Sequence, residues 1–375
     1  MSNRDRYLQT MLFQNPDRIP LNPGGPREST LTAWHQQGLP VDADYLLTAL
    51  DELGISHEAC LRWSGLGCIS KMIPEYEPQI LAHKDGHYII RDWMGAVTEI
   101  SDRYDESYLR SAKDFVTRRW HRFPIESRAD WLEMKQRYDA HNPLRIPADL
   151  AVQARIARDQ DRLLTESFNG VFWQLREWCG LENLCILMAE EPDFVQEMAE
   201  FWGDYILDLI RQMIAQACPD RVLISEDMAY KAHSMISPAM TRQFILPQYQ
   251  KWLPALKSGG CSVVELDSDG CIDELIPIWI EAGINCCSPI EVAAHCDILA
   301  YRRLYGKQMA YVQGIDKRLI AQGGQALEQH ILAIVPALFA DGGYIPGCDH
   351  GVPPDISWPN FLDFVRHLAR LSGWL

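Results

Sequence analysis

The sequence lacks any apolar run approaching the ~18 residues that a membrane-spanning helix needs. Its longest candidate, ILAIVPALFA, is short and is interrupted by Pro336. The N-terminus, MSNRDRYLQTMLFQNPDRIP, is charged and amphipathic, without the apolar core and small-residue cleavage site of a secretory signal. Basic residues are in short supply: 35 Lys and Arg against 51 Asp and Glu leave a net charge of -16. That balance argues against a nucleic-acid or anionic-membrane partner, because both require a basic face. No CxxC pair occurs, and the 11 cysteines are odd in number and scattered. Several, such as Cys185, Cys261 and Cys286, stand in apolar surroundings, which suits a reducing cytoplasm rather than a disulfide framework. No GxGxxG follows the first β-type run, which counts against a dinucleotide-binding fold. Low-complexity tracts, internal repeats and long linkers are also missing.

What remains is the composition of an ordinary soluble protein, 47% hydrophobic and 23% charged over 375 residues. We read residues 1–375 as a single domain, with N-terminal additions in about 1–150 and a regular part in about 151–375. The N-terminal part predicts a helix over about 3–14, a short strand at RIPLN, a Gly/Pro-rich loop carrying Arg27, and a β-hairpin in HKDGHYIIRDWMGAVTEI. A capped amphipathic helix follows in SRADWLEMKQRYD. Trp34, Trp63 and Trp93 fit core and lid packing better than an aromatic ligand pocket.

From about residue 160, β-type runs with polar or Gly-containing tips alternate with long helical stretches. The runs are RLLTESFNG, RVLISEDMA, SVVELDSDG, INCCSPIEV, QMAYVQGID and GGYIPGCDHG. Six strand–helix units in a row predict a parallel sheet. With RIPLN and a second strand near HEACLRW the count reaches eight, the number of an α/β (β/α)8 TIM-type barrel; an open doubly wound sheet is the alternative.

In parallel α/β folds the chemistry gathers at the carboxyl ends of the strands. Here those ends carry Glu166 and Asn169, Glu226 and Asp227, Asp267 and Asp269, Glu291, Asp316, and Asp349 with His350. In VVELDSDGC, Glu265, Asp267 and Asp269 alternate with Val264, Leu266 and Ser268, so an extended chain points all three carboxylates one way. Carboxylates crowded at one rim repel, which leads us to expect a cation among them. Should Glu265 face the barrel interior, an Arg or Lys from a neighbouring strand is the expected counter-charge.

The segments LISEDMAYKAHSMISPAM, ELDSDGCIDELIPIWIEAGINCCSPIEVAA, YVQGIDKR and GGYIPGCDHGVPPDISWPNFLDFVRHL resemble the uroporphyrinogen decarboxylase-like superfamily. The resemblance covers the last two-thirds of the chain and, more loosely, NPDRIPL. It implies a (β/α)8 barrel and one of two activities: the decarboxylation of haem biosynthesis, or methyl transfer by zinc enzymes that pair with small corrinoid proteins. True uroporphyrinogen decarboxylases carry an arginine-rich segment after the first strand, where this chain has NPGGPREST with Arg27 as the only base. A substrate with many carboxylates would meet an acidic mouth, so uroporphyrinogen is rejected as substrate. The resemblance therefore points to the corrinoid-dependent methyltransferase branch. There a His-x-Cys pair ends the fifth strand and a Cys ends the eighth; this chain has Asp267-Ser268-Asp269 and Cys348-Asp349-His350.

The resulting expectation is a divalent metal, zinc or a harder ion, held by Asp267, Asp269, Cys348 and His350. Asp269 and Gly270 equally suit a plain turn and helix cap, and Cys348 with His350 equally suits a buried thiol beside a satisfied imidazole. His350 would bind metal or move a proton, aided by Asp267 and Tyr230. Arg27, Asn169, Glu226, Asp227, Lys231 and Glu291 would contact substrate. The expected partners are a small methylated substrate and a corrinoid-binding protein, and a homodimer is one expected assembly. The alternative function is a metal-free decarboxylase of a small aromatic or heteroaromatic acid.

Overall fold

In the computed structural model, which describes residues 1–105, 108–109 and 116–375, strand β1 (Trp63–Gly65) precedes a separate antiparallel sheet. That sheet contains β2 (Gln79–Lys84), β3 (His87–Arg91), β4 (Val97–Ser101) and β5 (Arg119–Arg122), in this order. It holds two hairpins where the sequence pattern suggested one. Asp85 and Gly86 both take positive φ, 53° and 77°, the two-residue turn that matches strand twist. Ile90 and Ile100 bury one face of the sheet against Leu109.

The chain then builds β6 (Leu163–Asn169), β7 (Arg221–Ser225), β8 (Val263–Asp267), β9 (Cys286–Ser288), β10 (Ala310–Val312) and β11 (Tyr344–Ile345). With β1 they form a seven-stranded parallel sheet in sequential order, curled as in a TIM-type barrel. The gap between its two edges is filled by residues 21–26. Leu21 bridges Cys60 and Pro26 bridges Val352, both parallel. The N–H groups of Cys348 and Val352 donate to the carbonyls of Pro23 and Gly25 at 2.9 Å each. Pro23 and Pro26 have no N–H to continue a ladder, so this eighth position is bridged rather than zipped. The RIPLN strand expected from sequence is thus an extended closing segment, and the second strand, expected near HEACLRW, begins at Trp63, the last residue of that stretch.

The amino-terminal end of the ring is plugged. The helix Asn3–Met11 lays Tyr7 and Met11 against Leu163, Val263, Cys286, Ala310, Val312 and Ile345. Just above, the Arg221 guanidinium sits 3.0 Å from Glu265 and stacks over Trp63 at 4.3 Å. This is the interior counter-charge that the alternation in VVELD required. Outside the ring, Pro192–Ile214 packs on Leu246–Gly259, with Trp252 Nε1 donating to the Gly203 carbonyl at 2.7 Å. Among the described residues no helix is long and apolar enough to cross a membrane.

Candidate active site at the carboxyl end of the barrel

Strand register sets the site. Asn169, Ser225, Asp267 and Ser288 stand side by side at the ends of β6, β7, β8 and β9. Residues in register on parallel strands point the same way, so this row lines the inside of the rim. Two residues down β6, Ser167 is exposed, so solvent reaches into the barrel below the row. Asp267 also braces the next loop, because its carbonyl accepts the N–H groups of Glu226 at 2.9 Å and Asp227 at 3.2 Å.

The Asp267 carboxyl has no hydrogen-bonding partner among the described residues. Burial, followed by the charges of Asp269, Glu265 and Asp227, pushes its pKa up to about 7. Two residues on, Asp269 turns to His350. The imidazole Nδ1 accepts the Gly351 N–H at 2.7 Å and lies 3.4 Å from Arg27 Nη2. Nε2 therefore carries the proton and donates it to Asp269 Oδ2 at 2.9 Å. This bond to Asp269 raises the His350 pKa, against the opposing effect of burial. Asp269 thus serves a histidine rather than a helix cap; the next helix begins only at Ile276.

Three further rim acids have partners of their own. Asp227, at φ 46°, meets Arg176 Nη2 at 3.0 Å, while Arg176 Nη1 holds the Asp227 carbonyl at 3.1 Å. Glu291 accepts the Gly270 N–H at 3.0 Å and pairs with Lys317 Nζ at 3.1 Å. Asp349 is fully buried and accepts the N–H groups of Val292 and Lys317, each at 3.0 Å, which ties three strand-end loops together. Arg176, Lys317 and His350 thus pair with Asp227, Glu291 and Asp269, while burial and the neighbouring acids raise the pKa of Asp267.

Several predicted site residues lie elsewhere. Glu226 does not face the substrate region. It is fully buried, bonded to Tyr249 and to the Trp173 N–H at 2.9 Å, and so caps the helix Val171–Cys179. Tyr230 is half exposed and, with Lys231, lines a shallow outer cleft of about 640 Å³ beside Asp269, Glu291 and Arg318. Asn169 stays at the rim, its amide bonded to Gln174 and Glu177 at 3.1 Å each. Arg27 reaches His350, as noted. Arg176 and Lys317 escaped the sequence reading. The available signal was a base on the first helical turns after a strand end, in WQLREWC and GIDKR.

The four residues expected to bind a metal do not assemble as a ligand set. Among the described residues no group of three or more His, Cys, Asp or Glu stands in a metal-holding arrangement. Both nitrogens of His350 are engaged. Cys348 is fully buried against Gly24, and burial pushes its thiol pKa up to about 12. These donors do not fit a divalent metal.

Comparison with solved structures gives the same fold. A methyltransferase from Methanosarcina mazei aligns with a TM-score of 0.56 at 14% identity, covering 99% of each chain. A B12-independent methionine synthase from Shewanella sp. W3-18-1, in complex with selenomethionine, aligns at 10% identity over 60% of this chain and 65% of that one. Its TM-score of 0.37 is too low to bear on the fold. No curated protein matches the chain. Residues 176–371, more than half of the sequence and the stretch that carries β7 to β11 with most of the rim, match the family described as Uroporphyrinogen decarboxylase (URO-D), and the chain belongs to that family.

Proposed function

We propose that the protein is a methyltransferase that removes a methyl group from a small methoxylated or methylated substrate, with Asp267 as general acid. The observation that carries this reading is the Asp267 carboxyl at the inner rim, unpartnered among the described residues, with its pKa pushed up to about 7 by burial. Likeness along the full length of a chain titled methyltransferase supports it.

In the reaction a nucleophile attacks the methyl carbon. The carbon–oxygen bond breaks, its electron pair passes to the oxygen, and Asp267 transfers its proton there, so that a neutral hydroxyl leaves. The carboxylate left behind is stabilised by the nearby His350, itself oriented by Asp269 and Arg27. The acceptor in this reading is a cobalt(I) corrinoid carried by a partner protein. No step is routed through zinc or another divalent metal, because the donor set does not fit one.

The same proton favours a second reading. A carboxyl protonated at neutral pH can protonate the ring carbon of an aromatic acid and release CO2, without a metal. One assay separates the two. Purified protein is dialysed against a chelator and supplied with methoxylated aromatic acids and free cob(I)alamin, with cobalamin absorbance and CO2 followed together. Absorbance change without CO2 is the expected result; CO2 release with unchanged absorbance overturns it in favour of the decarboxylase.

A further inference from the structure

Below the rim the barrel is filled unevenly. On β9 to β11 the inward residues Cys286, Ala310, Val312 and Ile345 are buried against the plugging helix. On β6, β7 and β8 the second row down is Ser167, Leu223 and Glu265, in register. Ser167 is exposed and Leu223 half-buried, although both point into the barrel. One row deeper, Gly65 of β1 pairs with Thr165 and is also exposed, with nothing within 4 Å of where a Cβ would lie. The floor is the Arg221 guanidinium, which the Thr165 hydroxyl and the Glu265 carboxylate hold over the Trp63 ring. A solvent-filled slot runs down from Asp267 to that floor.

The groups that line its upper part are uncommitted. The Ser167 and Ser225 hydroxyls and the Asp267 carboxyl have no hydrogen-bond partner among the described residues. Their polar neighbours are engaged: Asn169 binds Gln174 and Glu177, and Ser288 binds Glu265. Asp267 is withdrawn from solvent far enough for burial to raise its pKa, so a ligand that hydrogen-bonds it removes a real cost.

Spacing defines what fits. Ser225 and Asp267 face each other across one strand gap of ~4.8 Å, close enough to flank a single oxygen atom. Ser167 lies one inward row lower, about 6.6 Å down the strand direction. That is the span of a six-membered ring with an oxygen at each end. Hydroxyls donate and accept, and Leu223 gives the ring an apolar wall.

We propose that this slot binds a small methoxyarene with a ring hydroxyl opposite the methoxy group, its ether oxygen between Ser225 and Asp267 and its hydroxyl on Ser167. The ether's methyl group then faces the open mouth. The inference rests on the methyltransferase reading in placing a methyl ether at Asp267; recognition of the hydroxyl by Ser167 is measured separately.

Its test is equilibrium dialysis of the intact protein against 4-methoxyphenol and 4-methoxytoluene, which differ by a hydroxyl in place of a methyl. The wild type is expected to bind the phenol at least about tenfold more tightly. Ser167→Ala is expected to erase most of that preference without weakening 4-methoxytoluene, and Ser167→Thr, which keeps a hydroxyl, to retain it. Equal binding of the two by the wild type, or binding of neither, overturns the slot, and this comparison needs no variant to fold. A preference unchanged in a folded Ser167→Ala protein overturns it too. Ser167-dependent preference for the phenol without methyl transfer to cob(I)alamin would sustain the slot while removing the methyltransferase reading. Methyl transfer at equal rates from both ethers would do the reverse.

Discussion

Asp267 concentrates the chemistry of a single residue. If its proton is the one transferred, kcat/KM falls as pH rises through about 7, where the carboxyl ionises. Asp267→Asn should then lower kcat by about 10²–10⁴-fold with the fold intact. The same group has a stability signature. Its folded pKa is raised from 3.8 to about 7, so between those values the folded state keeps a proton that the unfolded state releases. Stability from this group therefore declines across that window as pH rises. Asp267→Asn removes the buried anion and should stabilise the protein by on the order of 3 kcal/mol above pH 8, with little change near pH 4. Thermal melts at the two pH values check this. For His350, whose pKa Asp269 raises, Asp269→Asn should move the imidazole titration to lower pH, as read from its C–H resonances by NMR.

At the scale of elements, alternation along a strand explains why Glu226 left the site. Arg221 and Ser225 of β7 stand in register with the inward residues Val263 and Asp267 of β8. Glu226, one residue further on, turns outward towards the helix Val171–Cys179 and supplies the cap that Gly170 lacks. The close approach needs a glycine: a Cβ on Gly170 would lie 2.1 Å from the Glu226 carboxyl carbon. Gly170→Ala should accordingly lower the urea midpoint through a loss of about 1–3 kcal/mol. Reading only the composition of strand ends placed Glu226 with the substrate; reading their parity would have set it aside. Parity also accounts for Glu265 and Asp267, two of the three acids that the alternation places on one face. One points to the open rim and the other to Arg221.

For the molecule as a whole, the ring is held by hydrogen bonds at a proline-containing seam and by one ion pair inside. Arg221→Met leaves Glu265 as an uncompensated interior charge and should cost about 3–5 kcal/mol by chemical denaturation, whereas Arg221→Met with Glu265→Leu should regain most of it. The order of the seven parallel strands was legible in sequence, because each β-type run and each helix is a local periodic pattern, and parallel strands joined by helices have few arrangements open to them. The acidic rim was legible for the same reason, since strand ends meet at one mouth. What neutralises that rim was not. Arg176 meets Asp227 across 51 positions, and His350 meets Asp269 across 81. Such pairings depend on which helix faces which loop after the barrel closes. Sequence alone determined that acids would crowd together; only the tertiary structure decided that the protein's own bases and a proton would answer them, because Coulomb energy depends on distances in space that spacing along the chain does not contain.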